Sequence, residues 1–370
     1  MSRPLHTAAN TIVKPTHGDW HKGLWYERFV DIYRVHGQTW EIPKPGDAQQ
    51  GPSKNDWIET VTGLTGNTRE LERQAIALIQ RVKSLGGTVQ GFKSDWHFAT
   101  GLGNPHPVEN GFLWHPTLSV PYLPGSSVKG LVRAWVEHWD DSLTPGAIKA
   151  RCCDWFGTEA KDKVPEQTGQ LIFFDALPME RVTLVQDVMT PHYGDWYEKG
   201  GDIRHAGNPE TVPADWHDPV PVPFLVVKNA HWLFAIAPRN PENAAAATEA
   251  MQALQEALEW LGAGAKTAVG YGRMVAEKDE GSVKALREKA VKVSVSAEQQ
   301  RILAFEKWIT PASQGRGRGH DLYQKTGQII QEAAHWPAEN RMQLRNVAEK
   351  AYKHLGIKEA DYKKLLRPLQ

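Results

Sequence analysis

The run FLVVKNAHWLFAIAP, Phe224–Pro238, constrains the fold more than any other part of this chain. It is apolar on both sides of Lys228–Asn229–Ala230 and reads as two strands folded about that tripeptide. A sheet therefore lies at the centre of the fold. GQLIFFDALP, Gly169–Pro178, is a further continuous apolar run of strand length. Helices separate these runs. One is expected from Ser126 to about Trp139, and another, with an Ala-rich start, over Pro241–Leu261 until Gly262 ends it. An extended segment at Phe92–Thr100 precedes the first helix, and YGRMVAE forms a last strand after the second. Between Met179 and about Val220 the chain shows no clear period, a long interruption of a kind that is usually functional or disordered. This order of elements matches an α+β, ferredoxin-like β-α-β-β-α-β sandwich carrying an insertion.

The rest of the chain flanks that core. Residues 1–90 read as an irregular N-terminal region with a Pro/Gly-rich linker, Ile42–Asp56, and a helix near Thr68–Ser84 that stops at Gly86–Gly87. The core occupies 91–279. From 280 to 370 the chain is helical and basic, with 17 Lys+Arg against 10 Asp+Glu, whereas the remainder carries 26 against 33. The neutral total argues against coating nucleic acid by bulk charge and permits a local basic track. In the C-terminal part Leu344, Val347, Ala348, Ala351 and Leu355 form an apolar stripe at helical spacing, and Gln314–His320, QGRGRGH, reads as a flexible loop with two arginines. No run approaches the ~18 apolar residues that span a bilayer and no signal peptide is evident, so the chain reads as cytoplasmic. Cys152 and Cys153 are adjacent and are the only cysteines, which excludes a disulfide framework and a cysteine zinc site. Fifteen tryptophans favour extensive contact surfaces, whether core, protein interface or base-stacking platform.

Two segments carry candidate chemistry. In LPGSSVKGLVRAW, Leu123–Trp135, a Pro-Gly turn leads into a helix on which Ser126 or Ser127 can act as the cap and Lys129 and Arg133 fall four residues apart. First-turn N–H groups, the helix dipole and the two cations then converge on a volume suited to a phosphate. The same residues also fit a capped amphipathic helix with its cations in solvent. The second segment, GAGAKTAVGYGRM (Gly262–Met274), lacks the glycine spacing of a Walker A loop or a dinucleotide fingerprint and follows a helix instead of a strand. Its glycines permit close approach of a partner to the backbone, with Lys266, Thr267, Tyr271 and Arg273 as polar or stacking groups.

Catalytic patterns are missing. Histidines such as His97, His106, His115, His192, His205 and His217 are scattered, Asp175, Asp187, Asp195 and Asp202 lack a paired motif, and nucleophile-elbow, kinase and zinc-hydrolase motifs are absent. No cofactor or metal is indicated.

Taken together, LPGSSVKGLVRAW, the WFG turn Trp155–Gly157, GQLIFFDALP and GAGAKTAVGYGRM resemble the RAMP superfamily of CRISPR effector proteins over about Phe92 to Ala276. The stretch Gly101–Gly130 brings the resemblance closest to the sixth-subunit family of type III-B Cmr complexes. The resemblance implies an RRM-like core with an inserted thumb at about 179–220; the helical C-terminal extension is an addition that it does not explain. It implies a non-catalytic backbone subunit that grips the 3′ part of a guide crRNA, helps present target RNA, and contacts neighbouring backbone, small-subunit and capping RAMP proteins. On that basis Ser126, Ser127, Lys129 and Arg133 would hold guide phosphates, and Gly264, Lys266, Thr267, Tyr271 and Arg273 would contact RNA or brace the grip. His192 or Trp196 of the thumb would stack on or displace a base. The alternative is a RAMP endoribonuclease, using a histidine to process guides or a thumb aspartate such as Asp187 or Asp195 with a metal to cut targets.

Overall fold

A computed structural model describes residues 20–43, 52–158, 166–199, 212, 218–277, 281–294 and 296–369. The chain divides into two compact units, at Arg287–Glu288. In the first unit the elements that matter for the site begin with strand β1 (Gly63–Thr65), helix α1 (Thr68–Ser84) and strand β2 (Thr88–Ser94). Helices α2 (Gly125–His138) and α3 (Pro145–Phe156) follow. Next come strands β3 (Leu171–Phe173), β4 (Leu177–Pro178), β5 (Val182–Met189), β6 (Val222–Lys228) and β7 (His231–Pro238). Helix α4 (Ala244–Trp260) and strand β8 (Met274–Ala276) complete the set.

The central sheet runs β4–β7–β2–β8, with β3 also on β7, and every neighbouring pair is antiparallel. A second antiparallel sheet runs β6–β5–β1. The two strands of Phe224–Pro238 are present but do not pair with each other. Asn229, at φ +51, turns the chain from β6 in one sheet to β7 in the other. Asn is among the few side chains that enter this left-handed region at modest cost.

Along β7 every residue from Trp232 to Pro238 is buried, so both faces of the central sheet are covered there. Trp232 is fully enclosed, and its indole N–H donates to Ser94 Oγ at 3.0 Å, which removes the cost of burying that donor. Helix α4 turns seven residues, Ala247 to Leu258, into the core. It packs on α2 and on β7, and Trp135 Nε1 of α2 donates to Glu256 Oε2 at 3.1 Å. The many alanines on that face let α4 lie close to its neighbours. Trp25, Tyr26, Trp57 and Ile58 from the N-terminal region join the same core cluster.

Two sequence expectations need correction. GQLIFFDALP is two short strands on β7, broken at Phe174–Ala176, where Leu123 and Ala176 exchange backbone hydrogen bonds. The break frees Asp175 from the sheet and turns it towards α2. The Met179–Val220 interruption begins with a regular strand: β5 pairs with β6 over seven residues. Its burial alternates only at Val182–Leu184 and fades beyond, where Gln186 and Asp187 break the apolar pattern. Of that insertion, residues 200–211 and 213–217 lie outside the described residues, as do 44–51 of the expected linker.

The second unit is a set of helices: α5 (Ala297–Glu306), α6 (Asp321–Glu332), α7 (Ala338–His354) and α8 (Glu359–Leu365). Leu344, Ala348, Ala351 and Leu355 are fully buried in its core with Leu322 and Tyr352, and Val347 packs against it. QGRGRGH is an ordered cap. Gly315 and Gly317 N–H groups donate to the His354 and Leu355 carbonyls at the end of α7, and Arg318 pairs with Asp361 at 2.7 Å.

Candidate nucleic-acid interface

Helix α2 begins one residue earlier than the serines suggest. Pro124 is its N-cap, Gly125 its first residue, and no side chain of the chain caps it from that position. Ser126 and Ser127 therefore sit inside the first turn, exposed, and do not act as caps. The positive end of the helix is met by an anion of the protein itself. Asp175 Oδ1 accepts the Gly125 N–H at 2.7 Å, while Ser127 N–H returns to Pro124 O at 2.8 Å. A carboxylate there gains about 0.3–1 kcal/mol from the dipole, beyond the hydrogen bond itself. Two N–H groups of the cradle expected for a phosphate are thus taken, Gly125 by Asp175 and Ser127 by Pro124 O.

The four expected phosphate ligands also do not converge. Ser127 and Lys129 lie about 160° apart around a helix of 3.6 residues per turn. Ser127 and Leu131 line a groove of about 490 Å³ together with the Thr100–Gly103 loop, Gly264 and Thr267. On the other flank Lys129 and Arg133 line a wider cleft of about 830 Å³, with Lys149, Arg239, Glu137 and Glu166. Lys129 Nζ donates to Phe156 O at the C-terminal end of α3 (2.9 Å), which suits a cation at the negative end of a helix. Arg133 Nε donates to Glu137 Oε1 at 2.8 Å, and Arg239 Nε to Gly169 O at 2.9 Å. These bonds hold three of the four cations that line the cleft, against two carboxylates.

The glycine-rich segment shows why its glycines are needed. A Cβ on Gly264 would lie 2.2 Å from Ala99 O, and one on Gly272 would lie 1.8 Å from Ala263 O. The backbone that approaches so closely is the protein's own. Ala265 N–H donates to Ala99 O at 2.7 Å and Gly272 N–H to His97 O at 2.8 Å, which ties the segment to the loop after β2. Lys266 takes a left-handed conformation, φ +58, and its ammonium lies 5.5 Å from the Phe224 ring centroid, a cation–π contact. Arg273 is exposed and donates from Nε to Glu259 O at 2.9 Å. Tyr271 does not offer its ring as a stacking group. It is 6% exposed, packed with Ala99, Phe224 and Val226, and its hydroxyl donates to Asp187 Oδ2 at 2.6 Å. Its role in the structure is to brace the segment.

Asp187 is the hub that sequence reasoning missed as such. Besides Tyr271 it accepts the Val188 N–H at 2.8 Å, and His97 Nδ1 lies 3.4 Å away. Burial works to raise its pKa, but the bonds from Tyr271, Val188 and His97 outweigh it and the carboxyl titrates below its ordinary value. Burial and the Asp187 bond both push the Tyr271 hydroxyl well up. His97 and Asp187 are 90 residues apart, and no local spacing announces such a pair. On the insertion, His192 is exposed beside Tyr193, and Trp196 sits partly buried on the short helix Gly194–Lys199. The side chain of Asp195, and Asp202, His205 and His217 altogether, lie outside the described residues. Among the described residues no group of three or more His, Cys, Asp or Glu is placed to hold a metal ion. No described helix is long and apolar enough to cross a membrane.

A central antiparallel sheet, a helix opened by a Pro-Gly turn and a glycine-rich segment tied back onto the loop after the first core strand define a class. The chain belongs to the RAMP superfamily, whose family model matches residues 92–275, from within β2 to within β8. More particularly, it is similar to the CRISPR system Cmr subunit Cmr6 of Pyrococcus furiosus, at 28% identity over 269 residues, covering 59% of this chain and 76% of that protein. Cmr6 of Saccharolobus solfataricus is 37% identical over 87 residues, covering 23% of this chain and 26% of that protein. Among solved structures, the type III-B Cmr-beta complex bound to cognate target RNA contains a chain matching at TM-score 0.45 and 22% identity, over 61% of this chain and 71% of that one. The crystal structure of Cmr6 from P. furiosus matches at TM-score 0.29 and 25% identity, over 52% and 98%.

Proposed function

We propose that this chain is a non-catalytic, RNA-binding backbone subunit of a type III-B Cmr effector complex. It grips the 3′ part of the guide crRNA and helps present target RNA to subunits that cut it. The similarity to Cmr6 supports the assembly. The strand order β8–β2–β7–β3/β4, with α2 and α4 as its helices, supports reading the core as a ferredoxin-like, RRM-like sandwich. Because β7 is buried on both faces, RNA would follow the depressions beside α2 and not the sheet surface used by free-standing RRM modules.

The observation that carries the reading is the cleft of about 830 Å³ lined by Lys129, Arg133, Lys149 and Arg239, where backbone and carboxylate partners hold Lys129, Arg133 and Arg239 and the four cations suit a phosphate backbone. On the opposite flank, Ser127, Gly264 and Thr267 offer a narrow, neutral groove in which the strand would be held by shape and hydroxyl contacts. Lys266 and Arg273 extend the cationic path, and His192 and Trp196 remain the thumb residues proposed to meet a base. The ribonuclease alternative has less support, since Asp187 already accepts bonds from Tyr271 and Val188 and lies beside His97. The test is guide retention by the assembled complex. Lys129→Ala with Arg133→Ala is expected to lower the guide recovered per complex, and retention equal to that of the unaltered complex would overturn the assignment.

A further inference from the structure

Trp96 is an exposed aromatic that the site described above does not use. It sits in the loop after β2, 46% exposed, next to the segment that ties down the glycine-rich loop. Exposed indoles are common singly, but this one is held in an unusual way. Its ring lies flat on His97, with centroids 5.0 Å apart and planes 12° from parallel. Tyr271 supports it from a second direction at 4.8 Å. Both supports end on the same carboxylate, since the Tyr271 hydroxyl donates to Asp187 and His97 Nδ1 lies within reach of it. The indole therefore keeps one orientation, and a flat ligand stacking on it would order little further.

The surroundings indicate what that ligand is. Gly270 takes a left-handed conformation, φ +96, that favours glycine, and it is the one glycine of the segment with open space at its Cβ position. A Cβ there would meet only Trp96, at 4.0 Å, so the approach to the ring edge is open. The neighbours are polar. Asp95 is exposed, its N–H donates to Arg273 O at 2.9 Å, and the Arg273 side chain is held at Glu259 O, while Val269 of the same segment adds exposed apolar surface. A protein partner of ordinary stability would call for a contiguous apolar patch, which this frame does not supply. A lone, rigid aromatic face in polar surroundings suits a nucleobase, because every base has a π-face.

We propose that Trp96 is a stacking platform for one base of a single-stranded RNA, held in orientation by the His97–Asp187–Tyr271 brace. The proposal rests on the RNA-binding reading given above and adds to it the place where a base is taken.

The experiment uses the assembled effector complex and a series of guide RNAs, each carrying one abasic nucleotide. Trp96→Ala is expected to weaken guide affinity about tenfold, in the range of a single lost base–aromatic stack. Trp96→Phe should retain most of the affinity. One abasic position should cost the unaltered complex a similar factor and cost Trp96→Ala nothing. The proposal is overturned if Trp96→Ala binds as tightly as the unaltered chain, or if it loses its place among the other subunits while its RNA affinity per assembled complex is unchanged, which would make the ring a protein contact. Lys129→Ala with Arg133→Ala in the same assay separates the two readings. If that variant loses affinity and Trp96→Ala does not, only the platform fails. If neither variant changes guide binding, both readings fail.

Discussion

The two flanks of helix α2 are made in opposite ways. The groove beside Ser127 is built from backbone, with Gly264 and its neighbours pressed against Ala99, and its shape depends on positions where no side chain fits. The cleft beside Lys129 is built from long charged side chains held at their ends by Phe156 O, Glu137 and Gly169 O. Two residues of helix separate the flanks, because that offset turns the chain more than half-way round its axis. A backbone-built wall resists change and discriminates by fit, whereas a charged wall attracts at longer range and weakens with salt. A nucleic acid passing both would meet shape on one side and charge on the other.

Breaking the backbone-built flank should have the largest effect. Gly272→Ala sets a Cβ 1.8 Å from Ala263 O at φ +73, so a loss of at least about 3 kcal/mol in stability is expected, read as a lowered thermal midpoint. The junction of the flanks at the start of α2 comes next. Asp175→Asn keeps a hydrogen-bond acceptor for Gly125 N–H but removes its charge, and about 1 kcal/mol of stability should go with it in chemical denaturation. Gly130 lies on α2 with nothing within 4 Å of an added Cβ, so Gly130→Ala should raise stability by about 1 kcal/mol without touching either wall. A loss on Gly130→Ala would mean that this helix surface is packed against something.

The smallest effect is the acid sensitivity of the brace behind the groove. Asp187 has its pKa depressed in the folded state, so its contribution is complete above the unfolded value near pH 4 and is lost as pH falls through the lower folded value. In Asp187→Asn that part of the acid limb should be missing from a pH series of thermal midpoints.

Much of the skeleton was legible in the chain, and the reasons are local. The helix at Thr68–Ser84 has Asn67 accepting Glu70 N–H at its start and Gly86 at positive φ just past its end, both of which are short-range signals. The C-terminal stripe from Leu344 to Leu355 was visible as periodicity alone. What escaped were features that depend on partners distant in sequence. GQLIFFDALP reads as one strand until Leu123 draws Ala176 out of line and Asp175 is required at the end of α2. The capping serines were displaced by a proline and an aspartate fifty residues downstream. Tyr271 looked available for stacking because nothing nearby in the chain reveals Asp187, 84 residues away, as its partner. The four glycines from Gly262 to Gly272 signal close backbone approach, and for three of them what approaches is the chain itself.

The central claim is that the two walls grip one RNA by different physics, and the salt dependence of guide affinity in the assembled complex tests it most directly. Each phosphate contact to single-stranded RNA contributes about 0.7 to the slope of log affinity against log salt. Lys129→Ala with Arg133→Ala should therefore flatten that slope by about 1.4 and weaken binding most at low salt. Ser127→Ala with Thr267→Ala should weaken binding by a factor that is the same at every salt concentration. A double cation variant whose slope and affinity match the unaltered complex, or a Ser127/Thr267 variant that changes the slope, would contradict the account.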